Sequence, residues 1–114
     1  DLVAVNQRLC DEVYLEPTPG HTPGHISVHI TSEGQEALIT GDSFHHPCQM
    51  ARTDWASSAD YDQQASTATR NNLLEKYADS DVLIIGTHFA TPTAGHIRQN
   101  QQDYWFDVGQ AIDP

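Results

Sequence analysis

The chain has 114 residues, enough for one small domain, and its 38% apolar content allows a core with little margin. It carries 16 acidic against 5 basic residues, a formal charge of −11, which disfavours binding to nucleic acid or to an anionic membrane. No apolar run reaches the roughly 20 residues of a membrane span. Two cysteines, Cys10 and Cys48, are too few for a disulfide framework, so we expect free thiols in a reducing, cytoplasmic compartment.

The first part of the chain is predicted to form short strands separated by turns. Two apolar runs, Leu2–Val5 and Val13–Leu15, each predict a strand. Ile26–Thr31 alternates, with its isoleucines and valine on one face and a serine and a histidine on the other. Ser32–Gln35 contains a glycine and predicts a hairpin turn, from which the chain returns in a strand over Ala37–Thr40.

A helix is predicted over residues 63–78, after an irregular stretch. Either Asp60 or Asp62 can cap its first turn. Its apolar residues fall on one stripe at helical spacing, and they are Ala65, Ala68, Leu73, Leu74 and Tyr77.

The last third of the chain predicts more strands. Asp81–Gly86 is a continuous apolar run of strand length, as expected for a strand buried on both faces. His96–Arg98 and Tyr104–Asp107 predict a second hairpin. The order strand, helix, strand predicts a layered α/β domain.

Residues 18–25 read Thr-Pro-Gly-His-Thr-Pro-Gly-His and present two histidines on a stiff loop. His21 and His25 would share a face only in a helix, which the prolines and glycines exclude, so we expect one of them to bind a metal. Asp42 and His88 each follow a predicted strand, where ligands collect in α/β sheets. One carboxylate and two imidazoles suit zinc, manganese or iron. Taken singly, each residue fits an ordinary turn or surface loop equally well.

Two further histidines follow Asp42 closely. His45 and His46 could donate to a carbonyl or phosphoryl oxygen of a substrate, or could orient Asp42. The alternative is that both are loop residues without a catalytic role.

The stretches Thr18–His25, Thr40–Asp42 and Gly86–His88 together resemble the metallo-β-lactamase superfamily. The longer stretches Gly41–Gln49 and Gly86–Ile97 are similar to its branch of lactonases and methyl-parathion-hydrolase-like enzymes. This resemblance implies an αββα sandwich with one or two metals, usually zinc. It also implies hydrolysis of a small-molecule ester, lactone or phosphoester by metal-bound hydroxide.

The resemblance also implies a role for each matching residue. His21 would bind one metal, Asp42 would bridge two metals, and His88 would bind the second. His25 would not bind a metal itself and would instead hold the ligand residues in place. His45 stands where some lactonases place a tyrosine near the substrate.

The family's first metal-binding motif, His-x-His-x-Asp-His, has no counterpart in the chain. The sequence therefore corresponds to the C-terminal half of the fold, a mixed β-sheet with one main covering helix and a C-terminal hairpin, forming one domain over residues 1–114. Each metal position keeps two ligands or fewer, so we expect zinc to bind weakly or not at all and the chain alone to be inactive. The alternatives are a half-fold that homodimerises, with or without a metal site rebuilt between chains, and an interaction module that has lost catalysis.

Overall fold

The computed structural model describes residues 1–109, which form a six-stranded mixed sheet with a long helix on one face. Neighbouring strands are antiparallel except β3 and β4, which run parallel. The predicted α/β class is confirmed, with one main covering helix and a C-terminal hairpin. In chain order the elements are β1 (Val13–Pro17), β2 (Ile26–Ser32), β3 (Gln35–Ile39), α1 (Cys48–Ala51), α2 (Gln63–Tyr77), β4 (Leu83–Ile85), β5 (Ala94–Asn100) and β6 (Asp103–Asp107).

Both predicted hairpins are present. Between β2 and β3, Ser32 pairs with Gln35, and the two turn residues Glu33 and Gly34 have φ of 52° and 78°. Positive φ at both central positions matches the twist of the flanking strands and is favoured by glycine. The β5–β6 hairpin turns at Gln101, which has φ of 59°.

Helix α2 begins where the sequence predicted it. Asp62 caps the helix, and its side chain accepts a hydrogen bond from the Ala65 N–H at 3.0 Å. The predicted apolar stripe is wrong in the first half of the helix, because Ala68 is exposed. This half packs on polar loops, where Thr69 donates to the Pro19 carbonyl, so polar side chains turn inward. The buried face consists of Ser66, Thr69, Arg70, Leu73, Leu74 and Tyr77.

The apolar core lies between α2 and the sheet. Leu38 of β3 and Ile84 of β4 are paired in register and fully buried. Burying side chains of this size contributes about 1.5–3 kcal/mol each. The core cluster comprises Leu38, Phe44, Met50, Leu73, Leu74, Tyr77, Val82, Ile84, Phe89 and Ile97.

The opposite face of the sheet is only half-buried. Leu83 and Ile85 flank the buried Ile84 and remain partly exposed, so the prediction that this strand is buried on both faces is wrong. On β2 the predicted alternation is present, and it is Ser27 and His29 that are buried on the helix side. His29 is accommodated there by hydrogen bonds to two tyrosine hydroxyls.

The predicted strand at Leu2–Val5 is wrong. Leu2, Val3 and Val5 are exposed, and the segment pairs with no strand within residues 1–109. A single bridge, between Arg8 and Tyr14, joins the N-terminal segment to β1. An extended segment that has neither a paired edge nor a covered face gains too little free energy from hydrogen bonds and burial to stay a strand.

The structure also describes the two cysteines and the length and polarity of the helices. Cys10 and Cys48 are exposed and are not joined by a disulfide. Over residues 1–109, the helices are too short or too polar to span a bilayer.

Candidate metal site

The ends of three strands bring the predicted ligands together at one edge of the sheet. Asp42 follows β3 and His88 follows the parallel β4, while His21 lies in the loop from β1 to β2. Asp42 Oδ1 contacts His88 Nε2, and Asp42 Oδ2 lies 3.3 Å from His21 Nε2. The carboxylate therefore presents one oxygen to each histidine.

Gly41 gives Asp42 its position. Its φ is 58°, and a Cβ at this residue would lie 2.9 Å from His25 Nε2. Only glycine fits both the left-handed backbone and the close approach of the ring.

His25 supports the loop and does not face the ligand cluster. Its Nε2 accepts a hydrogen bond from the Asp42 N–H at 2.9 Å, so its Nδ1 carries the proton and donates to the Thr18 carbonyl at 3.0 Å. Burial lowers the pKa of His25, which favours the neutral ring that this pattern requires. With both nitrogens engaged, His25 has no lone pair left for a metal.

Asp60 holds His21 from the other side. Its Oδ1 accepts a hydrogen bond from His21 Nδ1 at 3.0 Å, which leaves His21 Nε2 directed toward Asp42. Sequence reasoning considered Asp60 only as a helix cap, because the contact spans 39 residues and no local pattern signals it.

Asp60 is buried as a charged acceptor. Burial raises the pKa of its carboxyl, but hydrogen bonds from His21, Ser66 and the Ser57 N–H, together with the Arg70 charge, outweigh burial and lower it. The Ser66 hydroxyl donates at 2.8 Å, and Arg70 Nη1 lies 3.8 Å from Oδ2. An ionised Asp60 is the acceptor that a ligating histidine commonly has behind it.

Arg70 joins helix α2 to the loops of the site. Its side chain is fully buried, and it donates from Nε and Nη2 to the Thr53 carbonyl at 3.0 and 2.9 Å. A weaker contact of 3.4 Å reaches the Ser43 carbonyl, next to Asp42. Sequence reasoning missed Arg70, since nothing in its local pattern distinguishes it from an exposed helical arginine.

The two histidines after Asp42 have different positions. His45 stacks on His88 with ring centroids 5.0 Å apart and lies 5.4 Å from the His21 ring. Burial lowers the pKa of His45. His46 is exposed and turned toward α1, where its Nδ1 accepts from the Cys48 N–H at 3.0 Å.

The side chains at this edge fit a transition metal. Ligand atoms of Asp42, His45 and His88 lie within 4.8 Å of one another, as do those of His21, His45 and Asp60. His45 Nδ1 is buried and has no hydrogen-bond partner among the described residues. The hydrogen bond from His88 is the main cause that lowers the pKa of Asp42. The carboxylate is therefore ionised, which metal binding requires. Imidazole and carboxylate donors together suit zinc, manganese or iron.

Comparison with known proteins gives a family and a set of similar folds. The model of the metallo-beta-lactamase superfamily matches residues 8–88. A search of curated proteins found no match.

Several solved structures are similar in fold. AidC, described as a dizinc quorum-quenching lactonase, is 23% identical, with a TM-score of 0.85 over 97% of this chain and 38% of its own. AbOPH, a hydrolase in the beta lactamase superfamily, is 25% identical, with a TM-score of 0.79 over 90% of this chain and 36% of its own. An N-acyl homoserine lactone hydrolase with product bound at its catalytic metal centre is 23% identical. Its TM-score is 0.64, over 81% of this chain and 36% of its own. The chain thus spans less than two fifths of each of these three proteins.

Proposed function

This chain belongs to the metallo-beta-lactamase superfamily, and from that premise we propose that it supplies part of the active site of a metal-dependent hydrolase. The observation that carries the proposal is Asp42, whose two carboxylate oxygens face different histidines. A carboxylate placed in this way can serve one metal alone or two neighbouring metals. Zinc is the metal we propose, since three of the nearby donors are imidazole nitrogens.

The residues of the chain divide into donors and supports. His21, Asp42 and His88 supply the ligand atoms. Asp60 and His25 fix the His21 ring and the Asp42 backbone, so that little conformational freedom is lost when a metal binds. A bound zinc would act as a Lewis acid toward a substrate oxygen and would lower the pKa of a coordinated water.

An ester, a lactone or a phosphoester is the proposed substrate class. The fold likeness to a structure described as a lactonase supports a lactone or an ester. The likeness to a further hydrolase of the superfamily supports the broader class. We expect the 114 residues alone to turn over such substrates poorly, so metal binding is the decisive measurement.

Replacing Asp42 tests the proposal. The chain supplied with zinc should bind it weakly, whereas Asp42→Asn should lower zinc affinity at least about tenfold further, because the amide lacks the charge and one acceptor oxygen. Zinc content by plasma mass spectrometry and affinity by titration calorimetry measure the change. Asp54→Asn, at an exposed carboxylate, is the matched control and should bind like the wild type. A folded wild-type chain that takes up no zinc, manganese or iron would contradict the proposal.

The open face of the sheet favours a second candidate, a half-fold that homodimerises as an interaction module. Ile26, Val28, Leu83 and Ile85 are aliphatic and only half-buried. Sheet faces of this kind are normally covered by another layer. Sedimentation velocity over a range of concentrations tests this candidate, and a chain that stays monomeric throughout would eliminate it. A stable dimer without metal or turnover would favour it over the hydrolase.

A further inference from the structure

His45 is the one residue common to the two ligand groups at the edge of the sheet. A ring nitrogen of His45 lies within 4.8 Å of ligand atoms of Asp42 and His88 in one group, and of His21 and Asp60 in the other. Building on the proposed function, we propose that His45 is itself a metal ligand. With Asp42 and His88 it would form a site of two imidazoles and one carboxylate for a single zinc ion, which leaves the fourth position open for water or a substrate.

The ring of His45 is held at the site but is incompletely satisfied. It lies against both neighbouring rings, with centroids 5.0 Å from His88 and 5.4 Å from His21. Its Nδ1 is buried without a hydrogen-bond partner among the described residues. A buried nitrogen left in this state costs about 1–3 kcal/mol, a cost that disappears when the nitrogen binds a ligand.

Hydrogen bonds fix the backbone of His45 beside the ligand cluster. The His45 N–H donates to Gln49 Oε1 at 2.7 Å, and the Gln49 amide donates in turn to the Trp55 carbonyl at 2.7 Å. Gln49 is buried, and these bonds connect the loop of His45 to the start of the next loop. The ring therefore stays at the cluster without needing a metal to hold it there.

The distances between donor atoms agree with one tetrahedral ion. Zinc bonds of about 2.0–2.2 Å place adjacent ligand atoms roughly 3.4 Å apart. The ligand atoms of Asp42, His45 and His88 lie within 4.8 Å of one another, so small side-chain rotations would bring them to this spacing. Asp60 lies behind His21 and serves as its support, since it accepts hydrogen bonds from His21 Nδ1 and from the Ser66 hydroxyl.

A ligand role for His45 raises the number of protein ligands per metal ion, on which the expectation of weak zinc binding depends. Two ligands or fewer per ion predict weak metal binding or none. Three protein donors and a water make the usual catalytic zinc site, so His45 would add the protein ligand that Asp42 and His88 alone lack. In that site His45 would hold the metal and would not donate to the substrate.

Cobalt(II) serves as the probe, because its visible absorption reports coordination geometry independently of any enzymatic activity. The full chain is used with Cys10→Ser and Cys48→Ser, so that the exposed thiols do not bind the probe. We expect one equivalent of cobalt with the intense visible bands of tetrahedral coordination, and zinc should displace it. His45→Ala should lower cobalt and zinc affinity by at least about tenfold and should weaken and shift these bands.

His46→Ala is the matched control, at the adjacent and exposed histidine, and should leave affinity and spectrum unchanged. Should His45→Ala fail to fold by circular dichroism, His45→Gln keeps a polar side chain of similar size and should still lose the tetrahedral spectrum.

The outcomes separate this inference from the proposed function. If His45→Ala and His45→Gln bind cobalt with wild-type affinity and spectrum while Asp42→Asn does not bind, His45 is not a ligand and the hydrolase proposal stands. If the folded wild type binds neither cobalt nor zinc, both are overturned.

Discussion

Asp60 decides which nitrogen of His21 faces the ligand cluster. Because the carboxylate accepts the Nδ1 proton at 3.0 Å, Nε2 is left as a lone pair directed toward Asp42. The carboxylate is in turn fixed by the Ser66 hydroxyl and by the neighbouring Arg70 guanidinium. A ring held in one tautomer and one orientation is prepared to bind a metal before the metal arrives.

Replacing Asp60 with asparagine should weaken metal binding without removing a donor atom. Asp60→Asn keeps the shape but loses the charge that fixes the His21 tautomer, so zinc affinity should fall about 10–100-fold. Titration calorimetry measures the loss, and nitrogen-15 NMR of the imidazole reports whether His21 now populates both tautomers. Asp62→Asn is the matched control, since this capping residue lies two positions away and its side chain accepts the Ala65 N–H within the helix. Unchanged affinity and an unchanged tautomer in Asp60→Asn would show that Asp60 is only structural.

The residues at the site were predictable where a local pattern reveals them. A glycine before Asp42 and a strand before His88 mark both as residues at the ends of strands. Asp60 and Arg70 carry no such mark, since their partners lie 39 and 17 residues away, and only the tertiary fold connects them.

Among the elements, helix α2 packs in two different ways. Its first half contributes polar side chains to the loops of the site, and its second half contributes Leu73, Leu74 and Tyr77 to the core. Near the end of the helix the Tyr77 hydroxyl donates to Glu16 of β1 at 2.7 Å and lies 3.3 Å from His29 of β2. The end of the helix is thus fixed to the outer strands by polar contacts.

The contact between Tyr77 and Glu16 predicts a loss of stability at alkaline pH. Burial, followed by the hydrogen bond to Glu16 and its charge, raises the pKa of Tyr77 well above its usual value. The unfolded chain releases this proton near pH 10 while the folded chain keeps it, so its stabilisation is complete below about pH 10 and is lost as the pH rises further. Tyr77→Phe should cost about 1–2 kcal/mol at neutral pH.

Urea unfolding at about pH 8 and about pH 10.5 measures both effects. The gap between the wild type and Tyr77→Phe should narrow at the higher pH. Tyr61→Phe, at an exposed tyrosine, should change neither value. A gap of constant size would mean that the Tyr77 hydroxyl ionises as freely in the folded chain as in the unfolded one.

The sequence predicted the type of each element, helix or strand, more reliably than it predicted which side chains are buried. Gly34 predicted a hairpin and Asp62 a helix start, since both effects act over a few residues. The exposed state of Leu2 and the burial of His29 depend on which partner covers each segment, which periodicity does not record. A polar residue on the helix side of β2 is tolerated because tyrosine hydroxyls from β1 and α2 approach its Nδ1.

For the molecule as a whole, the two faces of the sheet differ in what they contribute to stability. Leu38 and Ile39 are neighbours on β3 and point to opposite faces. Leu38 is fully buried under the helix, whereas Ile39 is half-exposed. The pair therefore compares the covered and the open face within one strand.

Leu38→Ala should lower the free energy of unfolding by about 2–5 kcal/mol, because it leaves a cavity in a packed core. Ile39→Ala should cost about 1 kcal/mol, because less of its side chain leaves water on folding. Thermal and urea unfolding of both variants at low protein concentration measures the difference. Equal losses would indicate that the open face is covered in solution, as a dimer would require.

The order of the strands has a consequence for the path of folding. Five neighbouring pairs make up the sheet, and four of them join strands that are connected by turns or loops. The pair β3–β4 alone must wait for the long connection that contains α2, since Ala37 pairs with Leu83. Closing the longest connection costs the most chain entropy and is expected to be slow. Asp42 and His88 lie just beyond this pair, so the two ligands meet only after the slowest contact has formed, and metal uptake would mark the completion of folding.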